Sequence, residues 1–562
     1  MNLEDAAKSL EKYLPACMVI MTVLVTPWLS SDPINPPKFM VLTISGSICL
    51  GLLIQNIRFL FSPIKQIGTL KFLSGAFSFG LISAFLFSSL NWREQLFGAS
   101  GRHTGLITYF SLITILVATA IFYSSKLHSK VFKALLIAGA LSSIYGFLQL
   151  LHLDPVGWQN PYNPIIGFLG NPNFQSSFLG IYSIALFEIT LNSKGMLKQA
   201  LLPIVGLFLN LIIIFKSDSQ QGLLIMILGC ALISLNRVRS TKLGKFAKPI
   251  GILYLISFVA ALLGILNKGP LAFLLYKPSV TFRGDYWRAG IKMFRDNPLT
   301  GLGLDSYGNY YRSYRDLTSV TRRGPEITSN VAHNVILDLA SNGGIFLVVP
   351  YLGLLVATVW IFSRAFKADT SNQPLLVSTF VLWVCYQAQS LISINQIALA
   401  AWGWILMGLV WGQSVQVLNL TANTPNRIGR KKVISQSKNV TASTILLTFV
   451  SALVGFALGM LPLNASAQQK NAIQSGDADK VIAAAKVEPL DPARMTMLAA
   501  VLANYGYPKD ALAIARETSM IFPTNFDTWR IISQLEVSTK KEKLEAIQKM
   551  KNLDPLNETI GK

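Results

Sequence analysis

Between Arg283 and His333 the chain gathers the residue types that acid–base and phosphate chemistry require. Arg283 and Arg288 flank Trp287 within Arg-Gly-Asp-Tyr-Trp-Arg, and His333-Asn334 closes the stretch. A neutral imidazole can take a proton from an attacking hydroxyl near physiological pH, so His333 reads as a general base, with Asn334 beside it to orient a substrate. Guanidinium suits phosphate because its planar fork donates two parallel hydrogen bonds and stays charged, which makes Arg283 a phosphate clamp. If this segment is helical, Arg283 and Trp287 share a face four residues apart, while Arg288 turns away. The plainer alternatives are a histidine that caps the next helix, and arginines that anchor with tryptophan at the membrane–water boundary. Asn297-Pro298-Leu299-Thr300-Gly301-Leu302-Gly303 reads as a turn where chain passes close to chain.

Three further polar clusters could contribute: Arg102-His103, Gly170-Asn171-Pro172-Asn173 and Ser219-Gln220-Gln221-Gly222. Asn171 and Asn173 flank a helix start whose exposed N–H groups could hold an anion, or that is simply a re-entry turn. Gln220 and Gln221 are amides that either line the site or pack at an interface. His103 and His152 have weaker context. Asp285, Asp296, Asp305 and Asp316 are scattered among basic residues without metal-site spacing. There is no Gly-Lys-Ser/Thr phosphate loop, no Gly-x-Ser-x-Gly and no cofactor motif, so histidine as base and arginine as clamp, without a metal, is the economical reading.

Elements that must position these residues are apolar almost throughout. The 562 residues are 52% hydrophobic and 14% charged, which places the chain in the polytopic membrane class. At about 20 apolar residues per span, thirteen helices are expected, at roughly 13–30, 38–61, 72–90, 105–125, 130–151, 173–192, 199–216, 221–236, 249–267, 333–363, 374–391, 395–413 and 441–463. The first run lacks a small-residue cleavage site and reads as a retained span. Cys17, Cys49, Cys230 and Cys385 all fall in spans and carry no disulfide or metal spacing.

The net charge of +22 could suggest nucleic acid, but its distribution argues for membrane orientation instead. Lys8 and Lys12 precede the first span. Arg58, Lys65 and Lys71, then Lys126 and Lys130, Lys194 and Lys198, Arg237 to Lys248, Arg364 and Lys367, and Arg427 to Lys438 all fall in even-numbered connections. The positive-inside rule therefore puts the N-terminus and these loops in the cytoplasm of a multi-pass plasma (inner) membrane protein. Every polar cluster above then lies on the external face, with 268–332 as a large external loop; His128 faces the cytoplasm.

From 464 the composition becomes charged and soluble. Pro492, Pro523 and Pro555 recur about every 31–32 residues, near the tetratricopeptide period. Each proline can open a helix, where its missing N–H costs nothing. Helices such as 494–505 and 509–521, the latter with Ala511, Ala513 and Ala515 for close packing, give about three helix pairs. The expected architecture is thus all-α: a membrane helix bundle over 1–463 and a small external helical-repeat domain over 464–562, the repeats offering a surface for a protein partner. Every phosphate-suited residue precedes 464, so the tail is expected to matter for acceptor choice rather than donor binding.

The order Gly98, Arg102 and Gly105, then Gly-Asn-Pro-Asn at 170–173, then Arg283, Trp287, Pro298, Gly301 and Gly303, then His333-Asn334 with Gly344 after it, resembles the O-antigen ligase/polymerase superfamily over about 90–410. The tetratricopeptide-like extension looks like some of its members, bacterial protein O-oligosaccharyltransferases among them. The resemblance implies a metal-independent, inverting membrane glycosyltransferase of polysaccharide biosynthesis in the cell envelope. It would move a glycan from undecaprenyl diphosphate to a hydroxyl of a glycan, lipid or protein. His333 matches the family's proposed base, Arg283 its main diphosphate-binding arginine and Arg102 the arginine of the early loop. Many members carry an arginine where this chain has Gln220-Gln221, so Arg102 or Arg288 would complete the clamp; many carry a second glycine where this chain has Leu347. The reading outside the enzyme class is a solute transporter, such as one for bicarbonate, which would show internal repeats and polar residues near the bilayer midplane. A non-catalytic scaffold is a third.

Overall fold

The computed structural model describes residues 3–57, 65–158, 163–193, 196–368, 373–422 and 441–561. Arg58, Lys194, Arg427, Arg430, Lys431, Lys432 and Lys438, used above for sidedness, lie outside them. The described chain is helical without strands. Each expected span corresponds to a helix: α1 (Leu3–Val23), α2 (Asn35–Gln55), α3 (Lys65–Leu86), then after a short α4 (Trp92–Phe97) come α5 (Leu106–Ile121), α6 (Ser125–Leu150), α7 (Pro172–Asn192), α8 (Leu197–Lys216), α9 (Gln220–Arg239) and α10 (Ala247–Ile265). Ten helices among the described residues are long and apolar enough to cross a membrane. Of the thirteen expected, α1 carries Glu4, Asp5, Lys8, Glu11 and Lys12 along its first half, and it stops at Val23 rather than near residue 30. Pro27 follows, and the residue before a proline is pushed away from helical geometry.

The stretch expected as a loop between α10 and His333 is folded. It forms α11 (Ala272–Leu275), α12 (Pro278–Asp296), α13 (Tyr307–Tyr314) and α14 (Leu317–Arg323), and leads into α15 (Val335–Ala368). Two more apolar helices follow, α16 (Gln373–Ser390) and α17 (Ile397–Ala422). The last is the axis of the bundle, with Trp402, Trp404 and Trp411 fully buried. Their bulk supplies core, and two indole N–H groups find partners: Trp402 donates to Thr22 Oγ1 and Trp411 to Thr358 Oγ1, both at 2.9 Å. By contrast α10 is apolar all round and almost unburied, as a peripheral helix facing lipid would be.

The final membrane helix, α18 (Ala442–Ser475), runs unbroken past residue 463 into the tail. Five helices complete the chain: α19 (Ala478–Ala485), α20 (Pro492–Asn504), α21 (Pro508–Ile521), α22 (Phe526–Gln534) and α23 (Lys540–Leu553). Successive helices pack as pairs, around one core of Val481, Met495, Leu498, Leu502 and Phe522 and another of Leu512, Trp529, Ala546 and Met550. Pro492 opens a helix as expected, and so does Pro508, but Pro523 and Pro555 sit in turns. Asn525, two residues after Pro523, caps α22 and Thr539 caps α23 through side-chain oxygens, and Pro555 lies in the turn after α23. Ala511 and Ala515 are buried, whereas Ala513 faces outward.

Candidate active site at one mouth of the bundle

Helix α12 begins with Pro278 at its first position, where the lost N–H costs nothing. Arg283 lies just beyond the first turn, half-buried. Its Nε–H donates to the Ile392 carbonyl at 2.9 Å, while one terminal nitrogen reaches Ser279 only at 3.5 Å. Burial lowers its pKa from the ordinary value, yet no carboxylate pairs with it among the described residues. The outer edge of the fork thus remains available to an anion. Gln221, buried at the start of α9, donates to the same Ile392 carbonyl at 3.3 Å and accepts from Ser177. The turn joining α16 to α17 therefore gathers two of the expected site residues. Gln220 is half-buried at the first position of α9.

Asp285 is buried on the opposite side of α12, where it holds Arg288 at 2.5 Å and Arg322 at 2.7 Å; Arg288 also pairs with Asp316 at 2.6 Å and is half exposed. Those pairs clip α14 onto α12. Arg323, the next residue, stacks over Phe282 and Tyr286 at 4.4 and 5.3 Å and bonds the Tyr286 hydroxyl. His333 in turn stacks on the Tyr286 ring, with centroids 5.3 Å apart and 26° between planes.

The backbone of His333 is left-handed, φ 53°, a conformation uncommon outside glycine that clusters at functional sites. Its neighbours fix it there. Asp338 accepts from the Ala332 N–H at 3.2 Å, and Asn334 accepts from the Leu337 N–H at 3.0 Å, capping α15. So the capping duty falls to Asn334, and the imidazole is left without a hydrogen-bond partner among the described residues. Burial first, then the charges of Arg283, Arg102 and Arg323, hold its pKa down at about 4. Neutral at physiological pH, it can accept a proton.

Arg102 is buried and already paired. It meets Asp305 at 2.6 Å, both side chains being almost fully enclosed, and also bonds the Asn330 carbonyl. Asp305 further accepts the Ala99 and Thr104 N–H groups at 2.7 and 3.2 Å. Arg102 thus contributes long-range positive charge and holds the approach to His333. Asn171 caps α7 by accepting from the Asn173 N–H at 2.9 Å, and Asn173 accepts from Ser219 at 2.9 Å. Trp287 is half-buried with its indole N–H unpaired. His103 is buried against the Phe39 ring, and His152 is exposed. His128 lies elsewhere, between Tyr123 and Thr379.

Sequence reading did not single out Arg323, Tyr286, Asp305 or the Ile392 carbonyl. Arg323 had a weak signal, a cation within the polar stretch; a backbone carbonyl has none.

Residues 205–352 match the family model described as O-antigen ligase. That segment holds Arg283, Arg323, His333 and the start of α15, but not Arg102 or the 392–396 turn. No curated protein matches the chain. The match shows this segment to be similar to the O-antigen ligase family, and the ten long apolar helices among the described residues fit a multi-pass membrane protein.

Proposed function

We propose that this chain transfers a glycan from an undecaprenyl-diphosphate carrier to an acceptor hydroxyl on the external face of the plasma membrane. The observation that carries the reading is the neutral, unbonded imidazole of His333 set among Arg283, Arg323 and Arg102. The acceptor oxygen forms a bond to the anomeric carbon as the carbon–oxygen bond to the diphosphate breaks, with inversion. The acceptor's proton passes to His333 and the electron pair leaves on the diphosphate. A lipid diphosphate is already a good leaving group, so the protein need only hold its growing charge, for which preorganised cations in a partly water-excluded site suffice. Arg283 is the main clamp, with Arg323 as the second cation; Arg102 and Arg288, each held by carboxylates, support the site. Trp287, Asn334, Asn171, Asn173, Gln220 and Gln221 line or brace it. The tail, read as tetratricopeptide-like pairs, would meet the acceptor or a protein partner.

The test is transfer by the purified full chain from an undecaprenyl-diphosphate glycan with a chelator present. Arg283→Lys keeps the charge but loses the fork, so it should weaken donor binding and turnover together. Arg283→Ala should weaken both further. Abolition by the chelator would remove the metal-independent mechanism, and wild-type transfer by Arg283→Ala would remove the clamp.

A further inference from the structure

A cavity of about 190 Å³ opens beside Arg102, between the turn after α1, the start of α7 and the turn before α17. At roughly 30 Å³ per water it would hold several waters or one compact organic group. Its wall carries Asp32, Asn35, Asn171 and Gln396 as polar groups and Phe174 as an aromatic face. Gln396 is only 5% exposed. Its Oε1 accepts the Leu399 N–H at 3.1 Å, capping α17, which leaves its buried Nε2 without a partner. A buried amide donor left unpaired costs about 1–3 kcal/mol, so such a group is normally matched by water or ligand.

The charged groups on this wall already have partners. Arg102 is held by Asp305 in an enclosed ion pair. One Asp32 oxygen accepts from the Ile34 and Asn35 N–H groups at 2.9 and 3.1 Å, and the other accepts from the Asn35 amide at 3.4 Å, which also donates to the Gly101 carbonyl at 2.7 Å. Asn395, also on the wall, is occupied with Tyr386 and Tyr109. What remains among the described residues is the amide N–H groups of Gln396 and Asn171 and the spare lone pairs of the Asp32 carboxylate around a phenyl ring, with no unpaired cation. That chemistry matches a neutral ring bearing several hydroxyls, whose C–H face packs on the aromatic and whose hydroxyls pair with amide and carboxylate. It does not match phosphate, which belongs at the free fork of Arg283.

We infer that this cavity is a sugar subsite that holds one pyranose ring of the reacting glycans. The inference rests on the glycan-transfer reading for its class of ligand. Arg102 connects the two places: it lines the cavity and bonds the Asn330 carbonyl, three residues before His333. The ring comes either from the donor glycan or from the acceptor.

The full chain in detergent is titrated with methyl pyranosides of glucose, galactose, mannose and N-acetylglucosamine, followed by saturation-transfer NMR. At least one should bind in the millimolar range. Gln396→Glu keeps the helix cap but removes the free donor, and Phe174→Leu removes the aromatic face; each should weaken that binding about tenfold, the worth of one good interaction. Arg283→Ala should lose transfer and keep pyranoside binding. Displacement by glycan-bearing donor but not by bare undecaprenyl diphosphate assigns the ring to the donor, and displacement by acceptor glycan alone assigns it to the acceptor. No binding by any pyranoside, or unchanged binding in both cavity variants, overturns the inference. Sugar binding without any transfer from lipid diphosphate instead contradicts the proposed function and leaves the subsite standing.

Discussion

His333 sits in a field of positive charge, and under the proposed mechanism that field sets the pH range in which it can act as a base. In the free protein its pKa is held at about 4, by burial and then by Arg283, Arg102 and Arg323. An anionic donor bound among those cations offsets them, so the imidazole should become more basic once the diphosphate arrives. The acid limb of kcat/KM, which reports the free enzyme, should therefore lie well below the ordinary histidine value of about 6.5, and the acid limb of kcat should lie above it on the pH scale. Coincident limbs in the two profiles would argue against the coupling. The linkage to stability has a definite sign. A folded pKa below the unfolded one favours the neutral form, so this contribution is fully present above about 6.5 and is lost as pH falls towards 4. Arg323→Ala removes one of the depressing charges. It should raise the acid limb of kcat/KM and weaken donor binding by roughly ten- to a hundredfold, the worth of a hydrogen bond to a charged group; an unmoved limb with normal donor affinity would leave Arg323 a packing residue. His333 and Arg283 were legible in the sequence because polar, ionisable residues stand out against apolar spans. The role of Arg323 was not, since its stacking on Tyr286 depends on how α14 folds back through Asp285, which no local spacing reveals.

At the level of elements, the sequence showed the helices better than the way they are broken. α15 is interrupted at Gly344, with φ 61°, and the Pro298–Gly303 strip lies in the break. Ile345 donates to the Pro298 carbonyl at 2.7 Å, and Leu302 and Gly303 donate to the Ser341 and Asn342 carbonyls at 3.0 Å. The close approach expected for Asn297–Gly303 is this one, though the partner could not be read from the strip itself. A Cβ on Gly344 would stand 2.3 Å from the Leu299 oxygen. Gly344→Ala should thus destabilise the protein by more than the roughly 1–2 kcal/mol that left-handed geometry alone costs. Thermal unfolding in detergent checks it, and an unchanged midpoint would mean that the break is not needed. The stretch from 268 to 332 is the clearest case of structure hidden from periodicity. Its helices are amphipathic and short, stabilised by tertiary pairs such as Tyr307 Oη to the Tyr286 carbonyl at 2.6 Å, rather than by long apolar runs.

Across the whole molecule, the tail is fastened to the same mouth as the candidate site. Arg315 and Arg312 meet Asp554 at 2.7 and 2.9 Å, and the Arg315–Asp554 pair is almost wholly enclosed. Arg530 and Asn557 hold Glu326, and Arg93 holds Glu488 at 2.6 Å. Composition revealed that the tail differs from the membrane part, but an ion pair separated by 239 residues leaves no trace in composition. Removing the tail would strip Arg315 of its counter-charge and leave Arg312 with Glu326 alone, at 4.0 Å, just before Arg322 and Arg323, so truncation near 465 disturbs the site's scaffold as well as any acceptor surface. Asp554→Ala isolates that effect. It should cost about 3–5 kcal/mol, as expected when one partner of a buried pair is lost, and should raise the donor KM through displacement of α14. Unaltered stability would show the contact to be dispensable. The most direct measurement is single-turnover glycan transfer by purified His333→Ala beside wild type, with the exposed His152→Asn as control and donor binding recorded separately. If His333 is the base, transfer falls by about 10²–10⁴-fold, the usual worth of a positioned proton acceptor, with donor binding largely retained and the control at wild-type rate. Near-normal transfer by His333→Ala would contradict that role.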